Sequence, residues 1–326
     1  MESDPIKIGI ALTSFAGGLI LGKRWLNGPL CSLTRDLSSK IVIITGASSG
    51  IGKETARSLA KMNAKVILAC RDPAKASNVV KTLREESKNM DIEFMQFDLA
   101  DLKSIKDFSR QFQLKHKRLD VLINNAGVIN FHTKYLTKDG FENQFGVNYL
   151  GHFYLTNKLL ETMKKTPESR IVNVACSAYS SGKINWEDIM SIKEYRPYNA
   201  FAQSKLAMVL FTRALNKKLE KSNIKAVSVH PGVVRTDLFR DMPKAWYLDI
   251  LLFIQAPFWH YLTKNPWRGA QSVLYCSLED YEKLEGGQLY AKNKKKEMAK
   301  NALNDEDMER LWKKSVELLI SKKMMI

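Results

Sequence analysis

Two runs in this 326-residue chain have residue types and spacings that suit chemistry. The first is Thr45-Gly46-Ala47-Ser48-Ser49-Gly50-Ile51-Gly52, which follows the apolar stretch 41–44 and leads into a helical pattern over 53–62. Glycines at 46, 50 and 52 permit a tight turn. They let a pyrophosphate approach the amides around Ser48, Ser49, Gly50 and Ile51, where the helix dipole also favours negative charge. The second run is Phe201-Ala202-Gln203-Ser204-Lys205. Residues four apart share one helix face, which places the lysine beside the phenyl ring. An ammonium there can assist a neighbouring hydroxyl in proton transfer, but a phenyl ring has no proton to give.

The elements that must hold these runs are legible from the apolar pattern. A glycine triplet alone is weak evidence, and its place between a strand and a helix is the confirming context. A second strand over 65–69 ends about 20 residues further on, where a dinucleotide fold reads the adenosine ribose. Cys70-Arg71 stands there instead of an acidic residue. A guanidinium takes a phosphate bidentately, so NADP(H) is expected over NAD(H), with an ordinary surface arginine as the alternative. Further strand signals at 92–97, 119–124, 170–175, 224–230 and 287–290 alternate with helical patterns. This predicts an α/β fold: a doubly wound, Rossmann-like parallel sheet in a single domain over 37–326, after an N-terminal anchor and linker at 1–36.

Composition narrows the function classes. At 45% hydrophobic and 26% charged, the chain is globular rather than disordered. Cys31, Cys70, Cys176 and Cys276 lie far apart with no CxxC pair, and the five histidines are scattered, so no metal site is expected. A net charge of +17 suits an anionic partner, but the dense lysine run 292–300 lacks interleaved aromatics. Nucleic acid is therefore not expected as a partner, whereas an anionic membrane surface is. The segment 5–22 is apolar or small apart from Lys7 and is followed by Lys23-Arg24. It reads as a short single-pass anchor helix that leaves the globular domain in the cytosol, with an amphipathic or buried helix as the alternative. The endoplasmic reticulum is the expected membrane, with a mitochondrial membrane as the alternative.

With the glycine run, Asn124-Asn125-Ala126-Gly127, Asn148, the helix ending in Lys205, and Pro231-Gly232 all in order, the chain resembles the short-chain dehydrogenase/reductase superfamily. Cys70-Arg71-Asp72, the run from Asn148 to Phe153, Ser204-Lys205-Leu206-Ala207 and His230-Pro231-Gly232-Val233-Val234 are similar to the membrane-anchored retinol dehydrogenases. The resemblance implies adenine contacts from Asp98 and Leu99, and cofactor packing by Asn125, Ala126 and Gly127. It further implies a proton-relay water held by Asn148 and a ribose contact from Lys205. Pro231, Gly232 and Thr236 would line the nicotinamide end. His152 and His230 fall on no catalytic position of the family and are read as structural.

The family reaction uses a serine, a tyrosine and a lysine to exchange a proton with a carbonyl while hydride moves to or from nicotinamide. Here Cys176 aligns with the serine and Phe201 with the tyrosine, and Ser177 falls one residue late. Ser177, Tyr179 and Tyr198 are the nearby hydroxyls that could substitute for the missing acid, Tyr198 being seven residues before Lys205, with ordinary loop residues as the alternative. The aromatic-rich segment at about 240–270 matches the family's substrate lid and suits a lipophilic ligand, though a packing core or partner surface would have the same composition. Two functions are expected: a retinol dehydrogenase-like oxidoreductase with impaired or altered proton transfer, or a cofactor-binding pseudoenzyme serving as a structural or assembly subunit of a membrane complex. The resemblance also implies a homodimer paired through the helices around 148–164 and 199–219.

Overall fold

The computed structural model describes residues 17–18, 21–239 and 261–324. Most of the expected anchor (1–16 and 19–20) and much of the expected lid (240–260) lie outside the described residues. Among the described residues, no helix is long and apolar enough to cross a membrane.

The sheet runs in the order β3-β2-β1-β4-β5-β6-β7-β8. Its strands are β1 (Ile41–Thr45), β2 (Lys65–Cys70), β3 (Ile92–Gln96), β4 (Val121–Asn124), β5 (Ser169–Val174), β6 (Ile224–Val229), β7 (Leu289–Ala291) and β8 (Lys294–Lys296). Strands β1 to β7 pair in parallel, and β8 pairs antiparallel to β7. Alternating side chains feed two separate cores, as a pleated strand requires. Ile43, Ile67 and Leu122 point into one core, with α3 (Leu102–Lys115), α4 (Gly151–Lys164) and α5 (Pro197–Lys218). Val42, Ile44 and Ile123 point into the other, with α1 (Gly50–Ala60), α2 (Pro73–Ser87) and α6 (Pro266–Leu278). Burial on both faces explains why the central strands read as unbroken apolar runs.

Two features lie outside the elements read from the sequence. Lys294–Lys296, within the dense lysine run 292–300, forms the exposed edge strand β8. Its hairpin turns at Lys292 and Asn293, both with positive φ (51° and 58°), the backbone pattern that matches strand twist. Lysines on an edge strand also discourage pairing with another sheet. The second feature is the C-terminal helix α7 (Asp305–Ser321), which packs on α4 and α5. Trp312 stacks edge-on to Phe153 at 4.9 Å and lies 6.0 Å from Phe211, and the Tyr149 hydroxyl meets Ser315 at 2.6 Å.

Candidate active site

The C-terminal ends of β1 and β4 diverge into helices on opposite faces, and the glycine run sits in the crevice between them. Side-chain oxygens close the starts of α2, α3, α6 and α7: Asp72, Asp101, Asn265 and Asn304 each accept an amide N–H of the first turn. Ser49, at the start of α1, makes no such bond. The α1 amides are therefore left for a ligand anion. Gly46 has φ of 67°, and a Cβ on it would come within 2.9 Å of the Ala126 Cα. A Cβ on Gly52 would lie 2.6 Å from the Asn125 amide nitrogen and 2.7 Å from the Gly46 carbonyl. Gly50 faces Thr236 across the crevice, where its Cβ would be 3.1 Å from Cγ2. A cradle that side chains would fill, beside an uncapped helix start, fits a dinucleotide.

Around the cradle, Arg71 is exposed at the end of β2 and forms no ion pair among the described residues. Asp98 and Leu99 follow β3, with the Asp98 carboxylate accepting the Ala100 amide at 3.0 Å and Leu99 buried against the start of α4. Asn125 donates its side-chain amide to the Thr45 carbonyl at 2.9 Å. On the far side, the buried Pro231 and the half-buried Gly232 (φ 98°) follow β6. The Pro231 carbonyl accepts a 3.1 Å bond from the buried ammonium of Lys264, a residue that the sequence reading did not single out.

A buried polar chain ties this crevice to the catalytic helix. The Thr45 hydroxyl accepts the amides of Asn125 and Ala126 at 2.9 and 3.0 Å and lies 2.9 Å from His152 Nε2. On its other side, His152 Nδ1 is 3.1 Å from the Asn148 carbonyl. A carbonyl can only accept, so Nδ1 carries the proton and Nε2 accepts from Thr45. Burial, with a smaller repulsion from Lys205 and against the bond to Asn148, holds His152 neutral, at about 3. Asn148 lies in a single π-helical turn, Gly146–Leu150, which runs into α4. Such turns re-aim one residue within a helix. Its side chain clamps the Val128 backbone, accepting N–H at 2.7 Å and donating to the carbonyl at 3.0 Å, and also donates to Ser204 Oγ at 3.0 Å. Sequence reading took His152 as structural and did not single out Ser204. No signal in the sequence places either in this chain, because the contacts join residues 56 and 107 positions apart.

Lys205 and Phe201 share the buried face of α5, at 5% and 6% exposed. The ammonium lies 5.7 Å from the Phe201 ring centroid, and its one hydrogen bond among the described residues is a 3.5 Å contact to the Val174 carbonyl. Burial pulls the lysine below its ordinary range. A Cβ on Gly127 would be 3.3 Å from both Lys205 Nζ and Asn148 Oδ1, so these groups border one space. Cys176 follows β5, half-buried, with burial pushing its thiol up against opposing pulls from Lys205 and the Ala178 amide. Ser177 next to it is exposed. Tyr198 is 57% exposed on the first turn of α5, with its hydroxyl 2.9 Å from Ser181 Oγ. The buried Tyr179 accepts the Ala299 amide at 3.2 Å. No group of His, Cys, Asp and Glu among the described residues could hold a metal.

Residues 40–245 match the short chain dehydrogenase family. This chain belongs to the short chain dehydrogenases. It is 40% identical to retinol dehydrogenase 12 of Mus musculus over 316 residues, covering 95% of this chain and 97% of that one. It is 38% identical to retinol dehydrogenase 13 of Homo sapiens over 310 residues, covering 95% and 93%. Among solved structures, a Mycobacterium paratuberculosis protein matches with a TM-score of 0.72 and 32% identity, covering 89% of this chain and 97% of that one.

Two stability predictions follow for this dehydrogenase. Thr45→Val leaves the Ala126 amide and one imidazole nitrogen without their partner, whereas the Asn125 amide keeps the Ile123 carbonyl at 3.1 Å, and each buried unsatisfied group costs about 1–3 kcal/mol. Urea unfolding is expected to show a loss of at least about 2 kcal/mol. The second concerns acid. Burial holds His152 at about 3 and His230 at about 4 in the folded state, against about 6.5 when unfolded. Below pH of about 6.5 the unfolded chain therefore binds more protons, so stability is complete above that pH and drains as pH falls toward the folded values. Urea titrations should show little change from about pH 7.5 to 7 and then, below about pH 6, a loss approaching roughly 1.4 kcal/mol per pH unit from His152, with His230 adding in the same direction.

Proposed function

We propose that this short chain dehydrogenase binds NADP(H) and transfers hydride to or from a retinoid or another lipophilic carbonyl or alcohol, with proton transfer impaired by Phe201 and Cys176. The carrying observation is the buried Lys205 ammonium facing a phenyl ring where the family reaction needs a phenol. In this reading the amides of Ser48, Ser49, Gly50 and Ile51 hold the pyrophosphate, and Arg71 takes the 2′-phosphate. Asp98, Leu99, Asn125, Ala126 and Gly127 flank the adenosine side and the floor. Lys205 binds the nicotinamide ribose, and Pro231, Gly232 and Thr236 line the nicotinamide end. When bound, the nicotinamide supplies or accepts hydride. The Asn148 carbonyl bonds His152 through one lone pair and has the other for a relay water. Similarity to retinol dehydrogenases supports a lipophilic alcohol or aldehyde as substrate.

The same phenyl ring favours a second reading. A site without its general acid suits a cofactor-binding pseudoenzyme that serves as a subunit of a membrane complex. The segment 5–22 would attach either protein to a membrane, with the domain on the cytosolic side, at the endoplasmic reticulum or, as the alternative, a mitochondrial membrane. Exposed Trp25 and Leu21, beside Lys23 and Arg24, suit an interfacial position. A homodimer built on α4 and α5 has to form around α7.

Two measurements test these readings. NADPH is expected to bind more tightly than NADH in a fluorescence titration, and Arg71→Ala should remove most of that preference; equal affinities in the native protein refute the phosphate role. Phe201→Tyr combined with Cys176→Ser is expected to raise retinal reduction at least about tenfold, the scale of a restored general acid. Native turnover as fast as the double variant eliminates the pseudoenzyme.

A further inference from the structure

We propose that the domain itself holds the phosphate of an anionic phospholipid headgroup between Arg268 and Lys292, above the buried ammonium of Lys264. The proposal rests on the membrane reading above and adds to it a headgroup site outside the segment 5–22.

Three cations converge on Gly28, where the helical residues 21–27 end. Arg268 donates to the Gly28 carbonyl at 3.5 Å, and Lys292 donates to the Trp25 carbonyl at 3.3 Å. A Cβ on Gly28 would lie 3.2 Å from Lys292 Cγ and 3.7 Å from Lys264 Nζ. A Cβ on Gly232 would lie 3.1 Å from the same ammonium, so Lys264 fills the gap between two glycine turns. Lys264 is 6% exposed and donates to the Pro231 carbonyl at 3.1 Å. Beside it, the Arg235 amide bonds the Lys264 carbonyl at 3.0 Å, and the buried Arg235 Nε has no partner among the described residues. None of these four cations meets a carboxylate among the described residues. Neither 21–34 nor 261–278 contains an acidic residue. Burial first, then repulsion from Lys292 and Arg268, pulls Lys264 below its ordinary range. Packed like charges with only carbonyls for partners are costly, and a bound anion offsets that cost. Arg268 and Lys292 are half-buried, and each carries more donors than its one carbonyl uses.

The surroundings of these cations select a lipid over a soluble phosphate. The Lys292 ammonium lies 4.0 Å from the Trp25 ring centroid, and the Arg268 guanidinium lies 5.2 Å from that of Trp267. Both indoles are exposed, at 71% and 41%. Leu21, Leu30, Val233 and Leu262 are exposed on the same segments. A soluble phosphate is held by donors alone, whereas indoles and leucines beside donors match the headgroup level of a bilayer, where amphipathic rings settle. The helical residues 21–27 directly follow the apolar segment 5–22, so the cations stand at the end of the chain's own apolar run. Anionic headgroups attract basic residues in that position. The face also adjoins the crevice: a Cβ on Gly269 would lie 2.8 Å from Val234 Cγ2 and 3.1 Å from Ile51 Cγ1 in the glycine run. A headgroup held here brings the crevice to the bilayer, where a lipophilic substrate is concentrated.

The test uses the full chain in neutral detergent micelles, with dioctanoyl phosphatidylserine or dioctanoyl phosphatidylcholine added at equal micelle fraction and retained lipid counted by native mass spectrometry. Phosphatidylserine is expected to be retained as a single molecule, at least about tenfold more tightly than phosphatidylcholine. Arg268→Gln with Lys292→Gln keeps hydrogen-bonding side chains at both positions and should abolish that preference. Lys294→Gln with Lys296→Gln removes the same charge from the neighbouring strand β8 and should leave it intact. Equal retention of the two lipids, or an equal loss in both double variants, refutes the site. Displacement of phosphatidylserine by inorganic phosphate at matching concentration refutes the lipid as its ligand. Flotation of the full chain with neutral phosphatidylcholine vesicles separates the two readings. A chain that floats but shows no phosphatidylserine preference keeps the membrane reading and loses the headgroup site. A chain that does not float loses the membrane reading, and the headgroup site falls with it.

Discussion

The hydroxyl of Thr45 is the point on which the crevice depends. One oxygen at the end of β1 accepts two amides from the segment after β4 and donates to an imidazole on α4. Those three partners come from the segment after β4 and from α4, and they fix the spacing between the parallel strands β1 and β4, where the strand order reverses. Strand-order reversals of this kind open the crevice in which doubly wound sheets take ligands. The close approach of Gly46 to Ala126, and of Gly52 to Asn125, is possible only at that spacing. A larger hydroxyl-bearing residue would push the two loops apart, and an apolar one would leave the Ala126 amide and the His152 nitrogen without partners.

Much of this architecture is legible in the sequence because it comes from local constraints. Apolar runs such as 41–44 are strands buried on both faces, and the glycine run between strand and helix marks the cradle. What was not legible depends on distant contacts or weak local signals. Lys294–Lys296 has no alternation and no β-branched residue, so its pairing with β7 is set by the turn before it. The π turn at Asn148 has no sequence mark, and the partners of His152 and Ser204 are supplied by segments far along the chain. Site roles read from single motifs, such as Lys205 and Asn148, fall around one space. The hydroxyls near Cys176 in sequence are placed differently, with Ser177 exposed and Tyr198 beside Ser181.

The packing of α7 has a consequence for the catalytic helix. Trp312 covers Phe153 and Phe211, and Ser315 satisfies the buried Tyr149 hydroxyl, which desolvation pushes well above the usual phenol range. Apolar burial on that side removes α4 and α5 from water along their outer faces. Both helices carry site residues, Asn148 just before α4 and Lys205 on α5. The C-terminal helix thus stiffens the base of the site from behind, and a rigid support of this kind holds reacting groups in place better than loops do.

The ammonium of Lys205 is what separates a bare scaffold from a ligand-binding site. A buried cation is costly unless an anion or several acceptors meet it, and here only one long carbonyl contact does. The Phe201 ring offers a weak electrostatic attraction at 5.7 Å, too little to offset that desolvation. Stability alone would favour an apolar side chain at position 205. In the proposed reading, ribose hydroxyls would supply the missing acceptors in the space beside Gly127 that Lys205 and Asn148 border. On that reading the burial of the lysine suits a liganded state, whether or not turnover follows.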